Sequence, residues 1–371
     1  MRNGIAFFVI LCTSCTTIKY IRNEKIVSYN ACMPLLGNNS TLVKAAVEGK
    51  QQTLLFDTGA MVSMLVDSSV VENLNTKKFG TFGSFQGANG VKKANRIFTT
   101  DLGTPLFTSL NKVMLLADMP ISKCQKQNYA GILGLDAFFN HHEVLKMDFT
   151  SNEICNINSK ELETTLQSAR FVRIKSKCKS NQVYVIMQFE GKDYQLLLDT
   201  GFSGTIIFSD DKKLRFSNQN KMVLEGQMYK TISGETKGCE TFYERMPTVF
   251  ADQSFETKIN VSTSIKGQNV GFGFIRCYDW LIDYENNKVY VRRNQNPMAS
   301  NFNRKISYYA KAGERLTIMT KEISQEKYQI GDEITTVNGT KVTPENSCEM
   351  QDLLNKTEDW NTLQLEVIPK A

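Results

Sequence analysis

Two aspartates in this chain, Asp57 and Asp199, each end a short apolar run and are each followed by Thr-Gly. The runs, Leu-Leu-Phe at 54–56 and Leu-Leu-Leu at 196–198, are too short for helices and predict buried strands that deliver a carboxylate into a turn. Two carboxylates held together share one proton, because like charges at contact distance cannot both ionise. One can then act as a base and the other as an acid, so the pattern predicts an acid–base pair.

The residues after each aspartate suit a close meeting of two such turns. Gly59 and Gly201 let the backbone turn sharply and approach its counterpart. Thr58 and Thr200 each offer a hydroxyl that can bond the backbone of the opposite half and hold the two acids in register. Each residue type of the Asp-Thr-Gly motif therefore has a function in both copies.

The match between the two copies extends upstream of the aspartates. Glu-Gly-Lys at 48–50 precedes Asp57 by the same distance as Glu-Gly-Lys at 190–192 precedes Asp199. A whole hairpin therefore recurs, and duplication is the simplest account. The charged segment at 159–166 lacks strand alternation, and we predict that it connects the two halves of a β-rich chain.

These motifs resemble those of the pepsin-like and retropepsin-like aspartic peptidases, whose signature is two apolar residues and Asp-Thr-Gly in each half of the active site. A second family element, an apolar pair followed by Gly and a short helix, is matched by Gly-Ile-Leu-Gly-Leu-Asp-Ala at 131–137. Its counterpart at 269–275 is looser and lacks the Leu-Gly-x-Asp core. The resemblance implies a mainly β, two-lobed pepsin-like acid protease fold, with lobes at 15–158 and 159–298.

The resemblance also implies an aspartic endopeptidase that acts on polypeptides in an extended conformation. Asp57 and Asp199 would hold one water, of which one aspartate removes a proton while the other protonates the carbonyl oxygen of the peptide. No covalent intermediate and no cofactor are expected, and the enzyme is expected to be a monomer. The supporting active-site turns are Thr58, Gly59, Thr200 and Gly201.

One position departs from the family pattern. Ala60 follows the first Asp-Thr-Gly, as in retroviral relatives, but Phe202 follows the second, where a small residue is more usual. A bulky ring beside the acids could reshape the cleft or tilt Asp199. The alternative function is therefore a non-catalytic envelope lipoprotein that binds extended peptides in the same fold, although neither aspartate is lost.

A hairpin signal follows each aspartate by about thirty residues, the usual spacing of a strand pair and its turn. The first, at 83–91, contains Asn89-Gly90, a strong two-residue turn signal, and the second lies at 226–234. In the family, the hairpin of the first lobe is the flap that closes over substrate. An ordinary surface hairpin is the alternative, and the aromatic nearest to a flap tyrosine is Phe85 in the first half and Tyr229 in the second.

Bulk properties favour a globular protein without a nucleic-acid partner. The chain has 371 residues, 41% of them hydrophobic, and a formal charge of +6 spread along the chain without basic runs. The two histidines, His141 and His142, are adjacent and cannot both face one metal from a strand or helix, so no metal site is expected. Without Cys12 and Cys15, seven cysteines remain, so at least one must stay free in an oxidising compartment.

The first residues resemble a secretory signal of the bacterial lipoprotein type. A weakly basic start and an apolar core at 5–11 are followed by Thr13, Ser14 and Cys15, and the core is too short to span a bilayer. We predict a signal peptide at 1–14 and lipidation of Cys15, which would anchor the protein in a bacterial cell envelope, facing the periplasm or the exterior. The alternative is a plain secretory signal cleaved nearby.

The remaining segment, 299–371, is short enough for one small module. Its Gly-Asp-Glu-Ile-Thr-Thr-Val-Asn-Gly stretch at 331–339 resembles a segment of PDZ domains, with a helix expected at 348–354 and a strand at 363–368. The resemblance implies a PDZ-like β/α module that binds peptide ends or extended peptides by strand addition. The alternative is a β-rich appendage that stabilises the second lobe.

Overall fold

The computed structural model describes residues 24–370 apart from gaps at 38–39, 73–76, 118, 120–122, 125–127, 140–142, 211–213, 215, 219 and 302–306. Strands make up 52% of the structure and helices 11%, so the mainly β class is confirmed. The predicted signal at 1–14, Cys15, His141 and His142 lie outside the described residues. Within them, no helix is long and apolar enough to cross a membrane.

The first half of the chain, residues 24–158, is built almost entirely from strands. Its elements in chain order are β1 Lys25–Ser28, β2 Cys32–Pro34, β3 Leu42–Val47, β4 Lys50–Asp57, β5 Met64–Leu65, α1 Ser68–Glu72, β6 Lys77–Gln86, β7 Lys92–Gly103, β8 Phe107–Leu116, β9 Gly131–Gly134, a 3₁₀ turn Leu135–Ala137, β10 Val144–Asp148 and β11 Glu153–Ile157.

The second half, residues 159–301, begins with a helix where the sequence predicted the connection. Its elements are α2 Ser159–Ser168, β12 Val172–Ile174, β13 Ser176–Lys179, β14 Gln182–Phe189, β15 Lys192–Asp199, β16 Ile206–Ser209, β17 Lys221–Thr231, β18 Gly234–Phe250, β19 Gln253–Ser262, β20 Asn269–Gly271, α3 Phe272–Ile275, β21 Tyr278–Asp283 and β22 Lys288–Arg293.

The strand that carries each aspartate has the same neighbours in both halves. In the first half, β4 pairs antiparallel with β3 and parallel with β9, and the order continues through β5 to β8. In the second half, β15 pairs antiparallel with β14 and parallel with β20, and the order continues through β16 to β19. The repeat seen in the sequence is therefore a repeat of strand pairing.

The hairpin turns before the two aspartate strands also match. Glu48 and Gly49 have φ angles of 49° and 74°, and Glu190 and Gly191 have φ angles of 48° and 76°. Two consecutive positive φ angles are typical of a type I′ turn, whose twist suits a two-residue hairpin, and the glycine makes the second position free of steric cost. The turn fixes the register in which each strand reaches its aspartate.

The two halves share one hydrophobic core and one sheet. In the strand pair of the second half, buried side chains alternate with more exposed ones, and Val185, Leu196 and Leu198 are completely buried. A six-stranded sheet in the order β12-β22-β21-β10-β11-β2 draws strands from both halves, with Met147 opposite Trp280 across the join. This shared packing holds the two aspartate turns against each other.

The C-terminal segment, residues 307–370, has its own core and continues the sheet of the second half. Its elements are β23 Tyr308–Ala312, β24 Leu316–Glu322, β25 Glu333–Val337, β26 Thr340–Lys341, α4 Ser347–Lys356, a 3₁₀ turn Trp360–Thr362 and β27 Leu365–Ile368. Trp360 is buried at the centre of this core. Strand β24 pairs antiparallel with β17, so the segment extends the sheet of the second half.

Disulfides tie distant parts of the chain together. Cys124 is bonded to Cys348, which joins the first half to helix α4 of the C-terminal segment, while Cys32 is bonded to Cys155 within the first half. Cysteines 178, 239 and 277 are free, in agreement with the expectation that at least one cysteine stays unpaired. The C-terminal segment is thus attached to both halves, by strand pairing to one and by a covalent bond to the other.

Candidate active site

The structure brings Asp57 and Asp199 together at the junction of the two halves. Strand β4 ends at Asp57 and strand β15 ends at Asp199, and the two side chains are hydrogen-bonded to each other. Each is partly exposed to a cavity of about 680 Å³, which we call the cleft. The predicted acid pair, which we call the aspartate pair, is therefore formed in the structure.

The glycine of each motif lies against the aspartate of the other half. A Cβ atom placed on Gly59 would lie 2.7 Å from Cγ of Asp199, and one placed on Gly201 would lie 2.5 Å from Cγ of Asp57. Any side chain at these positions would push the carboxylates apart. Neither glycine has a positive φ angle, so the backbone conformation itself does not require glycine at these positions. Glycine is needed there because a side chain would prevent the close approach of the two halves.

The threonines of the two motifs bond across the junction in a symmetrical network. The hydroxyl of Thr58 donates to the carbonyl of Leu198 at 2.8 Å and accepts from the backbone N–H of Thr200 at 3.0 Å. The hydroxyl of Thr200 donates to the carbonyl of Phe56 at 2.8 Å and accepts from the backbone N–H of Thr58 at 3.0 Å. Both threonines are buried, so four hydrogen bonds shielded from water hold the two turns in register.

The two carboxylates differ in what else they bind. The backbone N–H of Gly59 donates to Oδ1 of Asp57 at 2.8 Å, and the backbone N–H of Phe202 donates to Oδ1 of Asp199 at 3.0 Å. The side-chain amide of Asn269 also donates to Oδ2 of Asp199 at 2.6 Å, whereas the further donors to Asp57 are the backbone N–H groups of Gly201 and Ala60. In the matching register of the first half, Ile132 occupies the place of Asn269.

The surroundings favour one shared proton on the pair. Burial raises the pKa of Asp57, although hydrogen bonds from the backbone partly oppose this. Burial raises the pKa of Asp199 well above its ordinary value, and the neighbouring charge of Asp57 raises it further. The last proton is therefore held to a higher pH than an isolated aspartate would hold it, which is the state that acid–base catalysis needs.

Two hairpins meet over the cleft. The turn between β6 and β7 contacts the second half, where the backbone N–H of Lys266 donates to the carbonyl of Ala88 at 2.9 Å. The hydroxyl of Ser233, in the turn between β17 and β18, donates to Oδ1 of Asn89 at 2.8 Å. Gly87 and Ala88 line the cleft together with the aspartates. The first hairpin thus bounds the cleft and does not lie on an open surface.

Phe202 is accommodated beside Asp199 by two glycines. A Cβ atom on Gly204 would lie 2.9 Å from Cε1 of the Phe202 ring, and one on Gly271 would lie 2.5 Å from its Cδ1. The ring also makes an edge-to-face contact with Tyr229 at a centroid distance of 6.1 Å. The backbone N–H of Phe202 donates to Asp199, and its ring lines the cleft.

Two residues near the aspartates were not singled out from the sequence. Asn269 stands at the start of the looser second-half motif, in the position that the apolar residue Ile132 occupies in the first half. This replacement of an apolar residue by a polar one was the sequence signal that could have identified Asn269. Tyr129 lines the cleft, and its pKa is raised by burial and by the charge of Asp57. Nothing in the sequence around Tyr129 links it to the aspartates.

The described residues contain one cluster of potential metal ligands, Cys32, Glu153 and Cys155. Its two cysteines form a disulfide, which removes the thiolates that a metal would need. The cluster therefore does not suit a metal ion.

Comparison with known proteins does not assign the chain to a family. No protein-family model matches it, and no curated protein matches it.

Proposed function

We propose that this protein is an aspartic endopeptidase that hydrolyses extended polypeptides with a water held between Asp57 and Asp199. The observation that carries the proposal is the aspartate pair itself, two hydrogen-bonded carboxylates at the floor of a cleft. Their environment raises both pKa values, so the pair keeps one proton where two isolated aspartates would be ionised. No cofactor takes part in the proposed reaction.

In the proposed reaction the ionised member of the pair removes a proton from the water as the water attacks the peptide carbonyl. The protonated member donates its proton to the carbonyl oxygen, which gives a tetrahedral intermediate with two hydroxyl groups. The aspartate that took the proton of the water then gives it to the departing amine nitrogen, and the other aspartate takes a proton back from a hydroxyl as the new carboxylic acid forms, so that the pair again holds one proton. The threonine network keeps the carboxylates in register, so little reorganisation is needed during these proton transfers.

We further propose a two-lobed, pepsin-like architecture with a PDZ-like module at the C-terminus. The repeated strand pairing around β4 and β15 supports the two lobes. The separate core around Trp360, to which helix α4 and four of the five strands of the segment contribute, supports a distinct module.

Other parts of the proposal rest on the sequence alone. They are lipidation of Cys15, attachment to a bacterial membrane with the enzyme in the periplasm or outside, and function as a monomer. The main alternative is a non-catalytic protein of the envelope that binds extended peptides in the same cleft.

Digestion of an unfolded protein tests the proposal against this alternative. Denatured casein would be incubated with the full-length protein, with Asp57→Asn and Asp199→Asn, and with the control Asp193→Asn, which removes an exposed acid outside the cleft. Each reaction would run from acidic to neutral pH, with and without a statine-type transition-state mimic. Cleavage by the parent and the control that is lost in both site variants and blocked by the mimic supports the peptidase. Binding of extended peptides without cleavage at any pH supports the alternative.

A further inference from the structure

A second cavity, of about 510 Å³, lies beside the cleft and is lined by the second half and the C-terminal segment. Phe202, Tyr229 and Lys230 line both the cleft and this cavity, so the two spaces adjoin at these residues. Phe202 directly follows the second Asp-Thr-Gly motif. A ligand in the cleft that extends past the aspartates toward Phe202 therefore reaches the second cavity next.

The wall formed by the C-terminal segment is fixed in place. Strand β24 pairs with β17, with Gly226 opposite Thr320, and the hydroxyl of Thr320 donates to the carbonyl of Gln227 at 2.6 Å. The disulfide between Cys124 and Cys348 attaches helix α4 to the first half. A cavity whose walls are tied this way is formed before any ligand enters, which lowers the entropic cost of binding.

The outer edge of β23 is already hydrogen-bonded. The side chain of Asn355 accepts from the backbone N–H of Ala310 at 2.8 Å and donates to its carbonyl at 2.9 Å. The side chain of Gln351 accepts from the backbone N–H of Ala312 at 2.8 Å. A peptide that paired with this edge as an added strand would have to displace these bonds. Binding of a single side chain within the cavity leaves the bonds in place and therefore costs less free energy than strand addition.

The cavity contains a buried carboxyl group. Glu240 lines the cavity and is 2% exposed. Both hydrogen bonds described for it, from the hydroxyl of Tyr229 and from the side-chain amide of Asn260, end on the same oxygen, Oε1. Burial raises the pKa of Glu240 to about 8, and only the bond from Asn260 opposes this, with no contribution from a lysine or arginine. Among the residues that the structure describes, Glu240 is therefore a buried acid without a cationic partner.

The other charged groups of the cavity lie nearer to solvent. Lys311 forms an ion pair with Glu235, and Lys230 is exposed at the boundary with the cleft. Solvent screens these charges, so they oppose a positive ligand only weakly. Apolar side chains of Leu224, Phe242 and Met319 complete the wall and suit the methylene stem of a long side chain.

We propose that the second cavity is a specificity subsite of the cleft, in which Glu240 binds the cationic end of a lysine or arginine side chain of the polypeptide. The inference rests on the proposed function only in taking a polypeptide as the occupant of the cleft. Entry of the cation lets the glutamate ionise and form a hydrogen-bonded ion pair, which compensates both buried charges.

The test measures binding separately from cleavage. In full-length protein carrying Asp57→Asn and Asp199→Asn, fluorescence anisotropy would follow the binding of labelled unstructured peptides in which one arginine is moved through successive positions. Each peptide is compared with its norleucine counterpart. We expect one position at which arginine binds roughly ten to a hundredfold more tightly, as expected for a charge-assisted hydrogen bond.

Glu240→Gln keeps the size of the side chain but cannot ionise, and should reduce this preference to less than about threefold. The control Glu235→Gln removes an exposed acid of the same cavity and should leave the preference in place. Met319→Arg, which puts a cation into the wall of the cavity, should abolish the preference and serves if Glu240→Gln does not fold. A preference for arginine that survives in both Glu240→Gln and Met319→Arg, or no preference at any position, overturns the proposal.

Cleavage of the same peptides by the parent distinguishes failure of the subsite from failure of the peptidase. Arginine-selective binding without cleavage would support the subsite and contradict the proposed enzyme. Cleavage without arginine selectivity in the binding assay would support the proposed enzyme and contradict the subsite.

Discussion

The side-chain amide of Asn269 donates to Oδ2 of Asp199 at 2.6 Å, whereas the equivalent position beside Asp57 holds Ile132. This contact makes the two members of the aspartate pair unequal, although the strands that carry them are paired alike. A donor to a carboxylate stabilises its ionised form, so Asn269 lowers a pKa that burial has raised.

Replacing the amide should therefore shift the pH profile of activity. In Asn269→Ile, which copies the residue of the first half, Asp199 should keep its proton to a higher pH. The high-pH limb of kcat/KM should move up by about one unit, because a hydrogen bond to a charged group contributes roughly 1.5–3 kcal/mol and one pKa unit corresponds to about 1.4 kcal/mol. The profile is measured with a fluorogenic peptide across the acidic and neutral range.

The neighbouring variant Gln268→Leu is the control for this shift. Gln268 lines the cleft, and none of its described side-chain contacts reaches either aspartate. The high-pH limb of kcat/KM for Gln268→Leu should stay within a few tenths of a pH unit of the limb of the parent. An unchanged limb in Asn269→Ile, or a shift to lower pH, would show that Asn269 does not set the protonation of the pair.

A single methyl group at Gly201 should inactivate the protein without unfolding it. The Cβ of Gly201→Ala would lie 2.5 Å from Cγ of Asp57, so the carboxylates must separate and lose their shared hydrogen bond. Misplacement of this kind reduces activity by roughly a hundredfold or more. Gly103→Ala is the matched control, because its Cβ would meet only Cβ of Ala46 at 3.9 Å. Peptide hydrolysis and thermal unfolding are measured together, and near-parent activity of Gly201→Ala would contradict the observed close approach.

The two threonines should contribute to stability as a unit. Thr58→Val removes a hydroxyl that makes two buried hydrogen bonds and leaves the backbone N–H of Thr200 without its acceptor, so we expect a loss of about 2–3 kcal/mol of unfolding free energy. Thr200→Val should cost a similar amount, and the double variant less than the sum, because both act in one network. Denaturant unfolding provides the values, with exposed Thr164→Val as control. Strict additivity would mean that the two threonines act independently.

Contact between the hairpin tips should control access to the cleft. A Cβ on Gly87 would overlap Oγ of Ser233 and lie 3.0 Å from its Cβ, so Gly87→Val should hold the tips apart. We expect kcat/KM for a peptide to fall roughly tenfold or more, since closure excludes water and orders the substrate. Adding Ser233→Gly removes the overlap and should restore most of the loss. Ser233→Gly alone loses the bond to Asn89 but keeps the bond between Lys266 and Ala88, so it should reduce kcat/KM less than Gly87→Val does. If Ser233→Gly does not restore the activity lost in Gly87→Val, the loss has a cause other than the overlap with Ser233.

The sequence was sufficient for the parts of the molecule that local patterns determine. Each aspartate strand and its Glu-Gly turn could be predicted, because apolar runs and positive-φ glycine turns are local signals. The helix of the C-terminal segment was expected at 348–354 and spans Ser347–Lys356.

Contacts between distant residues could not be predicted in this way. The bond between Asn269 and Asp199, the disulfide between Cys124 and Cys348 and the pairing of β17 with β24 join residues 70 or more positions apart. Neither composition nor periodicity specifies which of several polar residues or cysteines will meet. The buried acid Glu240 belongs to the same class, because its position in a long strand reveals neither its burial nor its partners.

The most direct test of the central claim is the comparison of single and double variants of the aspartate pair. The peptide-hydrolysis rates of Asp57→Asn, Asp199→Asn and the double variant would be measured at the pH optimum of the parent, after thermal unfolding has shown that all three are folded. Because the reaction needs both carboxylates around one proton, each single variant should lose roughly 10⁴-fold or more in kcat, and the double variant should lose little beyond that. A single variant that keeps more than about a tenth of the parent rate, or losses that multiply in the double variant, would contradict a shared catalytic pair.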